Sequence, residues 1–162
     1  MSEKTSIESR IEQLGYTLPS TPQPVAAYVP AVVSGNYVYT SGQLPFVNGE
    51  LLHRGKLSSQ NTGEQHLTLE QAQECARIAA LNALSAVQSV LGDLNRIKRV
   101  VKVVGFVSSA PDFTQQPQVI NGASELLHDI LGEQGVHARS AVGVAVLPLD
   151  APVEVELIVE YV

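Results

Sequence analysis

The chain has 162 residues, 44% of them hydrophobic and 16% charged, with a formal net charge of -6, which is the composition of one globular domain large enough to bury a core. The acidic balance, without a run of Lys or Arg, provides no stripe for a phosphate backbone and sets nucleic-acid binding aside. A single cysteine forms no internal disulfide, no apolar run reaches the length of a membrane span, and the opening Met-Ser-Glu-Lys lacks the apolar stretch of a signal peptide. A soluble cytoplasmic protein without nucleic-acid or membrane partners is expected.

Residues 5 to 15 predict a short helix, with Thr5 or Ser6 as N-cap, Ile7, Ile11 and Leu14 on one face, and Gly15 as the stop. A connector rich in proline follows (Pro19, Pro22, Pro24) and favours extended chain. Helix and connector, residues 1–23, read as part of one domain spanning 1–162. From Ala27 to Leu44 two β-rich runs flank Ser34-Gly35-Asn36, a hairpin with a glycine-bearing turn. Ser41-Gly42 ends its second strand, where backbone amides become available. Residues 47–67 form a long polar excursion, with Leu51 and Leu52 as a possible short strand.

Thr68-Leu-Glu-Gln71 has the spacing of a capping box, and the following stretch to Leu91 places alanines, Cys75, Leu84 and Val87 on one stripe before Gly92. Cys75 on that stripe reads as a small core residue. Arg99 to Val107 is a continuous β-branched run and belongs inside a sheet. Asp112 is a candidate cap for the next helix, Pro117 suits its first turn, and Val119 to Leu131 supply its apolar stripe. Two further strand-like runs, His137 to Leu147 and Val153 to Val162, flank a turn from Pro148 to Pro152. Glu154 and Glu156 share a face of the second run, about 6.6 Å apart by strand rise.

The order is α+β, a largely antiparallel sheet with two main helices on one face. Two helices cannot cover both faces of such a sheet, and its strands are apolar on both sides, so a homo-oligomer is expected. No phosphate-binding glycine loop, dinucleotide fingerprint or nucleophile elbow is present. His53, His66, His128 and His137 lack ligand spacing, so no metal is expected, and His128 and His137 read as surface residues. What remains is Arg139, Glu154, Glu156, Asn121, Tyr28 and Ser41-Gly42. An arginine recognises a carboxylate and a glutamate accepts a proton; a strand-end salt bridge is the alternative.

The stretch Ala138-Arg-Ser-Ala-Val-Gly-Val-Ala-Val-Leu-Pro148, with Val153-Glu-Val-Glu-Leu-Ile158 after it, resembles the C-terminal signature of the YjgF/RidA family of enamine/imine deaminases. Tyr39-Thr-Ser-Gly-Gln-Leu-Pro45 is similar to the family's first motif, and Ala80-Leu-Asn82 with Val104 to Phe113 to its middle; the match spans roughly residues 24 to 160. The resemblance implies a chorismate-mutase-like fold and a homotrimer whose sheets build a central barrel, with clefts between subunits. It implies that Arg139 binds the carboxylate of a short 2-imino acid and that Glu154 holds the attacking water, helped by the backbone at Ala141. Tyr28, Ser41, Gly42 and Asn121 fall at the family's other cleft positions. The implied products are a 2-oxo acid and ammonia, with no cofactor and no metal. Ala26-Ala27 stands where better-known members carry Gly-Pro, and the N-terminal helix and the 47–67 loop are additions.

If residues 139–147 and 152–160 pair as one hairpin, Arg139 and Glu154 stand on the order of 20 Å apart. Either one small substrate then takes Arg139 from one subunit and Glu154 from the next, or the two residues do not share a site. A trimer that only binds small carboxylates is the competing expectation, which Glu154→Gln separates from an enzyme. A ribonuclease is the third, disfavoured by the acidic charge.

Overall fold

The computed structural model describes residues 6–21, 27–59 and 66–162. Thr5, Pro22 and Pro24 of the proline-rich connector and residues 60–65 of the 47–67 loop lie outside those residues.

Helix α1 spans Ile7–Gln13, capped by the Ser6 hydroxyl, which accepts from the Ser9 amide; Ile7 and Ile11 are its buried side. Strands β1 (Ala31–Ser34) and β2 (Tyr37–Thr40) make the expected hairpin. The segment after it holds a two-stranded hairpin of its own, β3 (Phe46–Val47) and β4 (Glu50–Leu51). Helix α2 runs from Leu69 to Leu91 with the capping box of Thr68 and Gln71 complete, and Gly92 closes it at a positive φ of 79°. Strand β5 is Ile97–Ser108, α3 is Gln116–Leu131, β6 is Ala138–Val144 and β7 is Val153–Tyr161.

Three expectations change. Residues 79–87 of α2 are buried all round, not on one stripe, because the segments before β1 and after β2 cross its outer side. The polar residues there serve those crossings: Asn82 donates to the carbonyls of Leu44 and Phe46, and Ser85 to that of Pro19. Asp112 does not cap α3, whose N-cap is Gln115 without a side-chain bond. Its carboxylate instead accepts from the hydroxyls of Ser58 and Ser59, tying the start of the long loop to the body.

The third change concerns the C-terminal pair. The sheet order is β1-β2-β7-β5-β6, so β6 and β7 are not hairpin partners. Strand β5 lies between them, parallel to β6 and antiparallel to β7. The link from Ala145 to Pro152 is long enough to step across β5, and it turns at Leu149 and Asp150, both with positive φ. Cys75 is buried, and desolvation pushes its thiol up to about 12, as suits a core residue.

Side-chain alternation gives the sheet two different faces. Val153, Val155, Leu157 and Val159 are buried, with α2 over β1, β2 and β7 and α3 over β5 and β6. The opposite face is not apolar throughout. Glu154, Glu156 and Glu160 of β7 share it with Ile158, with Val104 and Phe106 of β5 and with Tyr37 and Tyr39 of β2. No helix of the described residues packs on that side, and none is long and apolar enough to cross a membrane.

Candidate functional site

Arg139 is the second residue of β6, paired in register with Val103, and projects toward α3. There its Nη1 donates to Asn121 Oδ1 at 2.8 Å and to Ser124 Oγ at 3.2 Å. Asn121 is placed by close packing: it precedes Gly122, where an added Cβ would come within 2.2 Å of the Gln73 backbone oxygen, so α3 lies directly on α2. Among the described residues Arg139 makes no ion pair, and its Nε and Nη2 donate to nothing. The strand-end salt bridge is therefore absent among those residues. A guanidinium held by two neutral acceptors keeps its full charge and one fork of donors for an anion. Ala141 lies two positions further on the same face, paired with Gly105.

Glu154 sits elsewhere. It pairs with Phe106 on β5, two strands and three register positions from Arg139, on the order of 14 Å between Cα atoms by strand spacing and rise. It also points to the other face. Its carboxyl lies against Gly42, where an added Cβ would come within 2.6 Å of Glu154 Cδ. Gln43 exchanges both backbone hydrogen bonds with Val155, which fixes Gly42 there. Ser41 binds the strand before it, with amide to Pro30 O at 2.7 Å and hydroxyl to Val29 O at 2.6 Å. Exposed Tyr28 adjoins that tie.

The predicted residues thus form two clusters. Arg139, Asn121 and Ala141 stand at the β6 edge on the helix side; Glu154, Gly42, Ser41 and Tyr28 stand near one end of the open face. Partial burial and then the neighbouring Glu156 carboxylate push the Glu154 carboxyl above its ordinary value. Within one chain no arginine offsets this.

A cavity of about 370 Å³ opens beside Arg139, lined by Asn121, Ser124, His128 and His137 among others. His137 is not the surface residue expected. It is half-buried, with Nε2 2.8 Å from Ser124 Oγ and Nδ1 2.6 Å from Gly135 O. Burial lowers its pKa, the Gly135 carbonyl opposes that shift, and the Arg139 charge adds to it. Spacing carried a signal for this cluster: Asn121 and Ser124 are an i, i+3 pair on a helix, and His137, just before β6, and Arg139 an i, i+2 pair on extended chain. Among the described residues no three of His, Cys, Asp and Glu converge in a group that could hold a metal ion.

The sheet order and helix placement define an α+β fold of the chorismate-mutase-like kind. Residues 8–161 match the family described as "YjgF/chorismate_mutase-like, putative endoribonuclease", and the chain belongs to this YjgF/RidA family. It is 44% identical over 155 residues to Protein TCP17 of Trypanosoma cruzi, covering 95% of this chain and 93% of that one. The crystal structure of Atu1372 from Agrobacterium tumefaciens superposes with a TM-score of 0.87 at 46% identity, over 96% of this chain and 92% of that one. RidA from the Antarctic bacterium Psychrobacter sp. PAMC 21119 gives 0.59 at 30% identity, over 88% and 94%.

Proposed function

We propose that the protein is a hydrolytic deaminase of short 2-imino acids, active as a homotrimer in which Arg139 of one subunit and Glu154 of the next face one cleft. The observation that carries this is an arginine fork without a carboxylate partner among the described residues, on an edge strand, in a chain whose half-buried glutamate occupies the opposite face of the same sheet. Each cluster holds half of what the reaction needs. The mixed open face, with Tyr37 and Tyr39 exposed among the glutamates, suits burial against other copies.

The chemistry asks little beyond positioning. An iminium carbon is already electrophilic, so a substrate held by its carboxylate on Arg139 needs only a directed water. The water oxygen bonds to the imine carbon while Glu154 takes its proton, and the nitrogen becomes an amine. Glu154 then returns that proton to the amine, which leaves as ammonia while the carbinolamine hydroxyl gives its own proton to water, leaving the 2-oxo acid. A glutamate whose pKa is raised by burial and by Glu156 is the stronger base for that step. Ribonuclease chemistry finds less support, since Glu154, Glu156 and Glu160 share the open face and repel phosphate.

The test is ammonia release from enzymatically generated 2-iminobutyrate. Arg139→Ala should abolish both turnover and binding of 2-oxobutyrate without changing the oligomer. Glu154→Gln should lower kcat by at least about a hundredfold, the scale of a lost general base, and leave 2-oxobutyrate binding intact. Turnover that survives both substitutions would defeat the proposal, and a wild type that binds 2-oxobutyrate without turnover would identify a binding protein instead.

A further inference from the structure

We propose that His137 is a positioning residue for Arg139: through Ser124 it fixes the guanidinium so that its Nε and Nη2 hydrogens face outward as a carboxylate-binding fork. The inference rests on the reading of Arg139 as the carboxylate site and adds a residue to it.

The directions of the hydrogen bonds follow from the chemistry of each group. Gly135 O can only accept, so His137 Nδ1 carries the proton in that 2.6 Å bond. In the neutral ring Nε2 is then an acceptor, and the Ser124 hydroxyl must donate to it across 2.8 Å. With its single proton committed, Ser124 Oγ turns a lone pair to Arg139 Nη1 at 3.2 Å. Asn121 Oδ1 takes the other Nη1 hydrogen at 2.8 Å. Both hydrogens on Nη1 are spoken for, and the remaining edge of the guanidinium, Nε with one Nη2 hydrogen, is a preformed bidentate fork. The chain is one-directional, Arg139 to Ser124 to His137, with Gly135 as its anchor.

Protonating His137 reverses one link. Nε2 becomes a donor, and the Ser124 hydroxyl proton must turn away, toward Arg139 or solvent. A second positive charge also arises beside Arg139. The other charged groups around the ring are Glu125, His128 and Asp129 of α3, which line the same cavity, and Arg99 of β5, which donates to Val136 O at 3.2 Å. Neutral His137 is therefore the form that orients the fork. Its function requires only a good acceptor at the Nε2 position, which a glutamine side chain can present and the weakly accepting sulfur of methionine does not.

The experiment compares wild type, His137→Met, His137→Gln and Ser124→Ala in the intact oligomer, with enzymatically generated 2-iminobutyrate and with 2-oxobutyrate binding by calorimetry. His137→Met should raise KM and the 2-oxobutyrate Kd about tenfold, the scale of one lost charge-assisted hydrogen bond, with kcat within about threefold of wild type. His137→Gln should restore both constants. Wild-type KM should rise as pH falls through the His137 pKa, and the glutamine variant should not share that rise. Ser124→Ala combined with His137→Met should be no worse than either alone, because both break one chain. Nitrogen NMR of the ring should show a protonated Nδ1 and a bare Nε2 at neutral pH. An unchanged KM in His137→Met, additive effects in the double variant, or a proton on Nε2 would each overturn the inference. The two readings fail separately: loss of binding in Arg139→Ala with an indifferent His137→Met rejects this inference alone, whereas Arg139→Ala with full binding and turnover rejects the proposed function. The NMR result tests the inference without depending on turnover.

Discussion

Burial takes water from the Glu154 carboxylate, and the Glu156 carboxylate two positions along the same strand face further impedes its ionisation. A base must be ionised to act, so on the proposed mechanism activity should be present above the Glu154 pKa and lost as pH falls through it. Because that pKa is raised, the loss should begin at higher pH than an ordinary glutamate would give. Glu156→Gln removes one of the two causes and should move the acid limb of the kcat/KM profile to lower pH; an unmoved limb would mean that Glu154 does not sense Glu156. At this scale the sequence was informative about residue types and silent about neighbours. That Glu154 and Glu156 share a face follows from alternation alone. That Gly42 lies under Glu154, or that Ser124 joins His137 to Arg139, depends on segments far apart in the chain meeting in space.

Helix α3 carries Asn121 and Ser124 to Arg139, and its depth is set by Gly122 against the α2 backbone. Gly122→Ala should force the two helices apart, lowering stability by about 1 to 3 kcal/mol as overpacking does, measured as a lower urea midpoint. It should also weaken 2-oxobutyrate binding, because Asn121 is adjacent. Unchanged denaturation would place the helix contact elsewhere. Both long helices were legible, since a capping box, a terminal glycine and an apolar stripe are local signals. Strand pairing was not. The turn between Pro148 and Pro152 reads as a hairpin when β6 and β7 are considered alone, and only the insertion of β5 between them removes that pairing. Arg139 and Glu154 therefore lie closer than a hairpin would put them, yet on opposite faces.

The assembled molecule offers the sharpest test of a shared cleft. Arg139→Ala and Glu154→Gln proteins should each be inactive, and unfolding and refolding them together in equal amounts should restore activity. In a cyclic trimer with random mixing, about a quarter of the clefts would receive an intact arginine from one side and an intact glutamate from the other. No recovery would show that both groups act within one chain. The strand order has a further consequence, for how the chain acquires its shape. Strand β7 is the last of the five in sequence and the central one in space, flanked by β2 on one side and β5 on the other. Until it arrives, the early hairpin β1-β2 and the parallel pair β5-β6 share no backbone hydrogen bonds and form two separate halves. Closure must wait for contacts between residues as distant as Val38 and Val159, which makes a slow, late zipping step. The strand that carries Glu154 is thus also the keystone whose docking turns two partial sheets into one.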